Sequence, residues 1–385
     1  MHNKAYFNTT KMKSAGIITI HKINNYGSVL QAYALQKVCE EMGYKVEIID
    51  YNFPNQAHVG NRYATHQDTQ PTEPRWIKLL YAFELMRQHK GIEAFVQKYH
   101  HLSERQYDSP EALMNDAPRY YVYITGSDQL WNPRYCNGDP AFLLNFAPDD
   151  ALKISYAASV GTNAIPEDLK PLYKELLSRY AHISVRENSG VDVVKAVSGK
   201  DATVVLDPTL LLNRDQWNEI AAPKRQFKKK YILCYFLNYT FNAFPYVDEL
   251  AQYLQKQTGY EIVRVARPPH HLGTPHTHYK VGASPEEFLA LVRDAEMVLT
   301  TSFHGTAFAV NYGKPVFTVV KDKEASDSRQ VSLMHNVGLD AQVLSVKDAM
   351  PDVIRFSYDI SEEQARLESL RRASMDYLRN AITNE

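Results

Sequence analysis

His304 stands where a predicted strand passes into a predicted helix. It lies in the stretch TSFHGTAFAVNYGKP, which follows the short apolar run EMVLT. Histidine is the side chain best suited to proton transfer near neutral pH. Gly305 lets a ligand approach the backbone, Thr306 can cap the helix, and a helix start favours a phosphate group. A core histidine bonded to a carbonyl is the alternative, but the strand–loop–helix junction favours a functional role.

A second candidate stretch, HKINNYGSVLQAYAL, follows the first predicted strand and opens the first predicted helix. Asn25, Gly27 and Ser28 suit a tight turn that exposes backbone N–H groups at a helix start, where anions and polar ligands bind. A single glycine is not the GxGxxG pattern of dinucleotide sites. An ordinary turn and helix cap explains these residues equally well.

Polar residues also follow the predicted strand in RYYVYITGSDQLWNP. Ser127, Asp128 and Gln129 could bind sugar hydroxyls, with Trp131 placed against the sugar ring. An Asx turn with a packing tryptophan is the alternative. The position at a strand end favours the sugar site.

Three cations could serve an anionic ligand. Arg186 ends the predicted strand in SVRE and could clamp a carboxylate or phosphate bidentately, or form an internal ion pair with Glu187. Lys321 and Arg329 could reach the same site or belong to a solvated charged surface. Asp207, in LDPT, is expected to cap or brace a turn between domains rather than to do chemistry.

A metal site is not expected. Four histidines lie close together in RPPHHLGTPHTHY, but their irregular spacing and the Pro/Gly context indicate a loop: His270, His271, His276 and His278. The sequence contains no GxSxG, HExxH, Walker or CxxC motif. We expect neither a metal nor a cofactor.

The elements that must position these residues follow one plan. The segment AGIITI, a helical pattern ended by Gly43, and YKVEIIDY form a βαβ unit, which implies a parallel sheet. The plan returns in YILCYFLNYTFNAFPYVDELAQYLQKQTGYEIVRV. We therefore predict two Rossmann-like α/β domains facing a cleft, with ligands beyond the carboxyl ends of the strands.

We expect an N-terminal domain over residues 1–212, a C-terminal domain over 213–360 and a C-terminal helix over 361–385. An insertion is expected at about 52–118; its loop, Asn52 to Arg75, could be a lid or a plain surface excursion. A helical stretch should follow it, near Trp76 to Tyr99. Further helices are expected at about Pro166–Tyr180, Ser189–Val197, SPEEFLALVRDA and Ser361–Ile382.

Composition fits a two-domain protein of 385 residues that binds no nucleic acid, since the formal net charge is −1. The KRQFKKK cluster is expected to be a linker or strand lead-in. Three widely spaced cysteines, Cys39, Cys136 and Cys234, indicate a reducing cytoplasm without disulfides. The run AGIITI is too short for a signal peptide, and no stretch is long enough to span a membrane. Any contact with membrane-bound enzymes would therefore be peripheral.

Six stretches together resemble the polysaccharide pyruvyl transferase family: NNYGSVLQAYAL, TGSDQLWNP, SYAASVG, SVRE, VVLDPTLLL and TSFHGTAFAVNYGKPVFTV. They occur in the family's order between about Gly16 and Gly338. The resemblance implies a fold like that of the GT-B glycosyltransferases. It also implies transfer of pyruvate from phosphoenolpyruvate onto a sugar as a cyclic ketal, in surface or exopolysaccharide biosynthesis.

The resemblance implies a role for each stretch. His304 would be the general acid or a phosphate ligand, with Arg186 as its catalytic partner. The donor site would comprise Ser302, His304, Gly305, Thr306, Arg186, Arg329 and Lys321. The site for the acceptor, a sugar or a lipid- or nucleotide-linked glycan, would comprise Asn25, Tyr26, Gly27, Ser28, Gln31, Ser127, Asp128, Gln129 and Trp131.

One position departs from the family pattern. Characterised members often carry an arginine two residues before the histidine, and Ser302 stands there in this chain. The cation is missing or is supplied by Arg329 or Lys321. Two other functions are considered: a GT-B glycosyltransferase that uses a nucleotide sugar, and a non-catalytic relative that binds glycans. The first would need a carboxylate pattern such as E-x7-E for the donor ribose, which is not evident.

Overall fold

The chain builds two parallel sheets, one in each half. A computed structural model describes residues 13–52, 79, 81–237, 241–265, 276–325, 328–351 and 360–384. The expected lid loop lies outside the described residues apart from Asn52, and so do His270 and His271.

In the first half, five strands form a fully parallel sheet in the order β3-β2-β1-β4-β5. Their bounds are Ser14–Ile18 (β1), Lys45–Tyr51 (β2), Leu102–Tyr107 (β3), Val122–Thr125 (β4) and Leu152–Ser155 (β5). A short parallel pair follows: Ser184–Val185 (β6) and Thr203–Val204 (β7). The isolated bridges Asp128–Ala158 and Ala158–Val185 connect the loop after β4 to β6.

The helices of the first half are Tyr26–Glu41 (α1), Ala82–Tyr99 (α2), Pro110–Asp116 (α3), Pro133–Cys136 (α4), Lys170–Ser178 (α5), Asn188–Ser198 (α6) and Arg214–Ile220 (α7). Two 3-10 helices, Pro140–Leu143 and Pro208–Leu210, complete this half. The helix predicted within Trp76 to Tyr99 is therefore present as α2. The strand predicted at AHISVRE is reduced to the two residues of β6.

The second half holds a six-stranded parallel sheet in the order β10-β9-β8-β11-β12-β13. Its strands are Tyr231–Tyr235 (β8), Glu261–Arg264 (β9), Thr277–Tyr279 (β10), Met297–Thr300 (β11), Val316–Val320 (β12) and Val343–Ser345 (β13). Its helices are Tyr246–Thr258 (α8), Pro285–Asp294 (α9), Phe303–Asn311 (α10), Arg329–Asn336 (α11), the 3-10 helix Asp340–Gln342 and Ile360–Thr383 (α12). The KRQFKKK cluster precedes β8 without forming a helix or strand, as expected for a strand lead-in.

The two βαβ units end their first helices in the same way. Gly43, after α1, has φ +89°, and Gly259, after α8, has φ +69°. Glycine adopts these left-handed angles at little cost, so both helices stop there and the chain turns into the next strand. The similar sequences MGYKV and TGYEI therefore mark equivalent helix ends in the two units.

Buried aromatic contacts join the two halves. The Tyr26 ring, at the start of α1, stacks on Phe288 of α9 with centroids 4.7 Å apart. The Tyr26 hydroxyl donates to the Ala283 carbonyl oxygen over 2.9 Å. On the other side of this contact, Trp217 of α7 packs edge-on against Phe308 of α10. One hydrophobic core therefore runs from the first sheet to the second.

Helix α12 returns to the first half from the end of the second. Its Gln364 side chain donates to the Val310 carbonyl oxygen, and its Ser374 hydroxyl accepts from the Leu206 backbone N–H over 3.0 Å. Near its end, the Ile382 carbonyl accepts from the Tyr44 hydroxyl over 3.1 Å. Within the described part of the chain, no helix combines the length and the apolar character needed to cross a membrane.

Candidate functional site

A charged cluster lies where the loops after β1, β4, β6, β7 and β11 meet. At its centre is Asp207, which the tertiary fold buries to 1% exposure. Its Oδ1 accepts from the Thr209 backbone N–H (2.9 Å) and hydroxyl (2.7 Å). Its Oδ2 accepts from the Ser127 hydroxyl and from Arg186 Nη1, each over 2.8 Å. The predicted capping role of Asp207 is present, but the same carboxylate also organises the cluster.

Arg186 lies beside Asp207 and is itself buried. Its Nη2 lies 3.6 Å from Asp128 Oδ1, which is ion-pair range but too long for a hydrogen bond. Among the described residues, none gives a hydrogen-bond partner to Nε or Nη2 of this arginine. Burial opposes its charge, but the carboxylates of Asp207 and Asp128 outweigh burial and raise the pKa of Arg186 above its ordinary value. The cluster therefore contains a permanent, incompletely bonded cation.

Asp128 links Arg186 to the first turn of α1. Its Oδ2 accepts from the Ser28 hydroxyl over 2.6 Å. Burial alone would raise the pKa of Asp128, but Arg186 and, next, His304 outweigh it, and the pKa lies below its ordinary value. The backbone of Asp128 has φ +84°, an unfavourable conformation for a residue with a Cβ. Strained residues of this kind concentrate at functional sites.

His304 reaches the cluster from the second half. It is the second residue of α10 and is 6% exposed. Its Nε2 is buried, lies 3.8 Å from Asp207 Oδ2 and has no hydrogen-bond partner in the described part of the chain. The other ring nitrogen packs on Gly27, since a Cβ added to Gly27 would fall 2.0 Å from Nδ1. His304 and Arg186 thus lie on the same carboxylate, that of Asp207.

The charge on Asp207 is maintained by these neighbours. Burial raises its pKa, but His304 and then Arg186 and Thr209 lower it, so the pKa of Asp207 lies well below its usual range. The cluster therefore pairs two ionised carboxylates with buried and half-buried cations. A buried cation that is not fully bonded is costly, so the cluster is suited to an anionic or hydroxyl-bearing ligand.

Phe303 is a platform for two guanidinium groups. The Arg186 guanidinium lies 4.4 Å from the centre of its ring, and that of Arg329 lies 5.9 Å from it. Arg329 is the first residue of α11 and is half-buried. Lys321 lies exposed just after β12. Arg329 is therefore the cation that the fold places beside Arg186.

The other predicted donor residues build the start of α10. The Ser302 hydroxyl caps the helix by accepting from the Gly305 backbone N–H over 3.3 Å. The Thr306 hydroxyl donates to the Ser302 carbonyl oxygen over 3.0 Å and can accept from the Thr318 hydroxyl, 2.9 Å away. A Cβ on Gly305 would fall 2.4 Å from Thr300 Oγ1, so the glycine is required by packing. These residues position His304 through the backbone.

Several predicted acceptor residues have structural partners instead. Asn25 caps α1, accepting from the Gly27 backbone N–H over 2.9 Å. Gln31 is fully buried and donates to Thr19 Oγ1, and Gln129 accepts from the Asn132 side chain. The buried Tyr26 belongs to the contact between the halves.

Trp131 is not brought to the cluster. It is 1% exposed, its Nε1 donates to the Phe142 carbonyl oxygen over 3.0 Å, and its ring packs edge-on against Tyr180. Its ring therefore has no open face for a sugar, and the expectation that it stacks on one is wrong. Among the predicted acceptor residues, Gly27, Ser28, Ser127 and Asp128 belong to the charged cluster, and the Gln129 backbone N–H donates to Asp128 Oδ1 over 3.0 Å.

The structure also shows the surroundings of the three cysteines and of two of the clustered histidines. Cys39, Cys136 and Cys234 are buried and free. His276 and His278 both face Glu261, at 3.6 and 3.2 Å. No three metal-ligating side chains come together within the described ranges.

The sequence of the chain matches a known protein family. A family model described as polysaccharide pyruvyl transferase matches residues 25–322 of the chain. No curated protein matches the sequence significantly.

Solved structures share the fold. A proposed UDP-N-acetylglucosamine 2-epimerase from Listeria monocytogenes superposes with a TM-score of 0.53 at 10% identity, covering 96% of this chain and 91% of that one. The S. aureus MnaA protein solved with UDP gives 0.48 at 11% identity, over 94% and 91% of the two chains. A glycosyltransferase of kitacinnamycin gives 0.45 at 12% identity, over 96% and 97%. The fold is thus α/β with two parallel sheets, like that of the Listeria monocytogenes protein.

Proposed function

Because the chain belongs to the polysaccharide pyruvyl transferase family, we propose that it transfers pyruvate from phosphoenolpyruvate onto two hydroxyls of a sugar. The acceptor would be a sugar or a lipid- or nucleotide-linked glycan, and the product a cyclic ketal. The observation that carries the proposal is that one buried cluster brings together His304 and Arg186, whose Nε and Nη2 have no hydrogen-bond partner among the described residues. Phosphoenolpyruvate offers a carboxylate and a phosphate, the groups that guanidinium and imidazolium donors recognise.

The chemistry balances with the residues present. His304 gives a proton to carbon 3 of the donor, which becomes the methyl group, and carbon 2 becomes electrophilic. One sugar hydroxyl attacks carbon 2, and its proton passes to the His304 ring, which became neutral in the first step. The second hydroxyl attacks the same carbon as the C–O bond to phosphate breaks, and its proton leaves with hydrogen phosphate. Arg186 and Arg329 offset the donor's negative charge, and Asp128 with Ser28 faces the acceptor.

Arg329 can supply the cation that is missing at position 302, where this chain has a serine. The Ser302 side chain is 3% exposed and caps α10, so it leaves no cation at that position. The Arg329 guanidinium lies over the ring of Phe303, the residue that follows Ser302. The Arg186 guanidinium lies over the same ring. We assign Arg329 as the second donor-binding cation of this chain.

The test measures phosphate release and ketal formation with phosphoenolpyruvate and a panel of nucleotide- and lipid-linked sugars. His304→Ala should lower kcat by roughly 100-fold or more, the usual contribution of a general acid. Arg186→Lys and Arg329→Lys should lower kcat/KM by about 10- to 100-fold, because lysine cannot reproduce a bidentate contact.

Arg264 provides a matched control. It is buried to a similar degree, is ion-paired with Asp248 and lies over the Phe236 ring, yet it belongs to the far face of the second sheet. Arg264→Lys should cost stability and leave turnover unchanged. Thermal protection by a nucleoside diphosphate but not by phosphoenolpyruvate would instead favour nucleotide-sugar transfer. Glycan binding without phosphate release would favour a non-catalytic role.

A further inference from the structure

Asp207 and His304 form a pair whose geometry distinguishes the two ring nitrogens. Nε2 is buried and lies 3.8 Å from Asp207 Oδ2. Gly27, at the start of α1, packs against the same ring at Nδ1 and Cγ. An unprotonated Nε2 would direct a lone pair at an ionised carboxylate, which is repulsive. A protonated Nε2 is attracted to it.

We propose that Asp207 is the positioning residue that holds a proton on Nε2 of His304, so that the ring donates its other proton, from Nδ1. This inference rests on the proposed function, which requires His304 as the general acid. Asp207 does not touch the donor in this scheme; it acts through His304.

The carboxylate is fixed in place for this role. Thr209, Ser127 and Arg186 donate four hydrogen bonds to it, so it cannot turn away from the ring. Its pKa is lowered well below the usual range, so its charge persists across the working pH. The distance of 3.8 Å to Nε2 is too long for a hydrogen bond, but catalytic contacts often shorten when substrate binds.

The charges that face His304 come from four elements. Asp207 precedes the 3-10 helix Pro208–Leu210, Asp128 follows β4, Arg186 follows β6, and Arg329 begins α11. Arg186 and Arg329 carry positive charge, and Asp207 and Asp128 carry negative charge. Asp207 lies within ion-pair distance of Nε2, so its removal should most affect which ring nitrogen carries the proton.

In each turnover, His304 gives one proton from Nδ1 and regains one. The Nδ1–H bond breaks and a C–H bond forms at carbon 3 of phosphoenolpyruvate, using the electron pair of its double bond. The ring is left neutral, with the Nε2 proton still directed at Asp207. As the first sugar oxygen bonds to carbon 2, the hydroxyl proton returns to Nδ1. The histidine is then ready for the next turnover.

The test is ¹H–¹⁵N multiple-bond NMR of the full chain labelled at histidine nitrogens, with His304 identified by the signals lost in His304→Gln. In the wild type, the neutral ring should carry its proton on Nε2. In Asp207→Asn, the ring should lose its preference for a proton on Nε2, because the amide can donate to an unprotonated Nε2 as readily as it can accept from a protonated one.

Asp139→Asn is the matched control. Asp139 is also buried, precedes a proline and caps the 3-10 helix Pro140–Leu143, accepting from the Ala141 backbone N–H over 2.9 Å. It contacts Tyr51 rather than His304, so its substitution should leave the His304 signals unchanged.

Two results would overturn the inference: a wild-type neutral ring protonated on Nδ1, or the same ratio of the two ring tautomers in Asp207→Asn as in the wild type. The spectra need no turnover, so a failure of pyruvyl transfer would refute the proposed function and leave this measurement decisive. If Asp207→Asn does not fold, the wild-type tautomer alone decides.

Discussion

Gly27 and His304 pack against each other so closely that a Cβ on residue 27 would lie 2.0 Å from Nδ1 and 2.2 Å from Cγ of the ring. The contact joins the first turn of α1, in the first half, to the first turn of α10, in the second. Ser28, the next residue, donates to Asp128 over 2.6 Å. The position of the histidine relative to the acceptor loop therefore depends on the absence of a side chain at residue 27.

Gly27→Ala should separate helix stability from site geometry. Alanine is favoured over glycine in a helix by roughly 0.5–1 kcal/mol, so the substitution would stabilise α1 if no neighbour interfered. The methyl group must instead displace His304 or α1, and a displacement of about 1 Å costs on the order of 100-fold in rate. We expect this loss in kcat/KM for phosphate release, measured beside thermal unfolding.

Gly259→Ala is the control for that experiment. Gly259 has φ +69° and no atom within 4 Å of an added Cβ, so alanine there is strained but does not clash. It should lower the unfolding free energy by about 1 kcal/mol and leave turnover intact. Normal turnover in Gly27→Ala would show that the contact with His304 does not position the ring.

Phe303 should influence donor affinity without touching the reacting atoms. Its ring carries Arg186 at 4.4 Å and Arg329 at 5.9 Å, so it holds two like charges side by side. Phe303→Leu keeps an apolar side chain but removes the cation–π attraction, which is worth about 0.5–2 kcal/mol per pair. The KM for phosphoenolpyruvate should rise by roughly tenfold, with a smaller change in kcat.

Phe236→Leu controls for the loss of an aromatic ring beneath a buried arginine. Phe236 lies 5.4 Å from the Arg264 guanidinium, outside the charged cluster. Its substitution should alter stability and leave the KM for phosphoenolpyruvate unchanged. An equal KM for wild type and Phe303→Leu would contradict the platform role.

The elements of the fold were predictable because local pattern and local chemistry specify them. Helix α1 follows its apolar spacing and ends before Gly43, whose φ of +89° is the conformation that its position after the helix predicted. Helix α9 begins at Ser284, which forms a capping box with Glu287. In each case the residues that decide the structure lie within a few positions of one another.

The site residues were less predictable because long-range contacts decide them. The local sequence of an aromatic residue that follows a strand and polar residues is the same whether its ring contacts a ligand or lies in the core. Trp131 lies in the core because its ring packs against Tyr180 and its Nε1 donates to the Phe142 carbonyl oxygen. Asp207 caps the turn as predicted, yet the fold also sets Arg186 and His304 around it. That second role has no local signal in LDPT.

His100 should make the protein sensitive to acid. It follows α2, is buried, and its Nε2 donates to the Val29 carbonyl oxygen of α1 over 3.1 Å. Burial, and next the nearby His21, lowers the pKa of His100 from 6.5 to about 3. The unfolded chain therefore binds a proton below pH 6.5 that the folded chain refuses, so the stability contributed by neutral His100 is complete above pH 6.5 and is lost as the pH falls towards 3.

Glutamine at position 100 can donate to Val29 without titrating, so His100→Gln should remove this part of the acid sensitivity. Between pH 7 and pH 5 the wild type should lose about 2 kcal/mol more unfolding free energy than the variant, measured by urea denaturation at each pH. His101→Gln is the neighbouring control: His101 is largely exposed beside Glu40, and its substitution should leave the pH dependence close to that of the wild type. Identical pH dependence in wild type and His100→Gln would mean that the buried ring accepts its proton without unfolding.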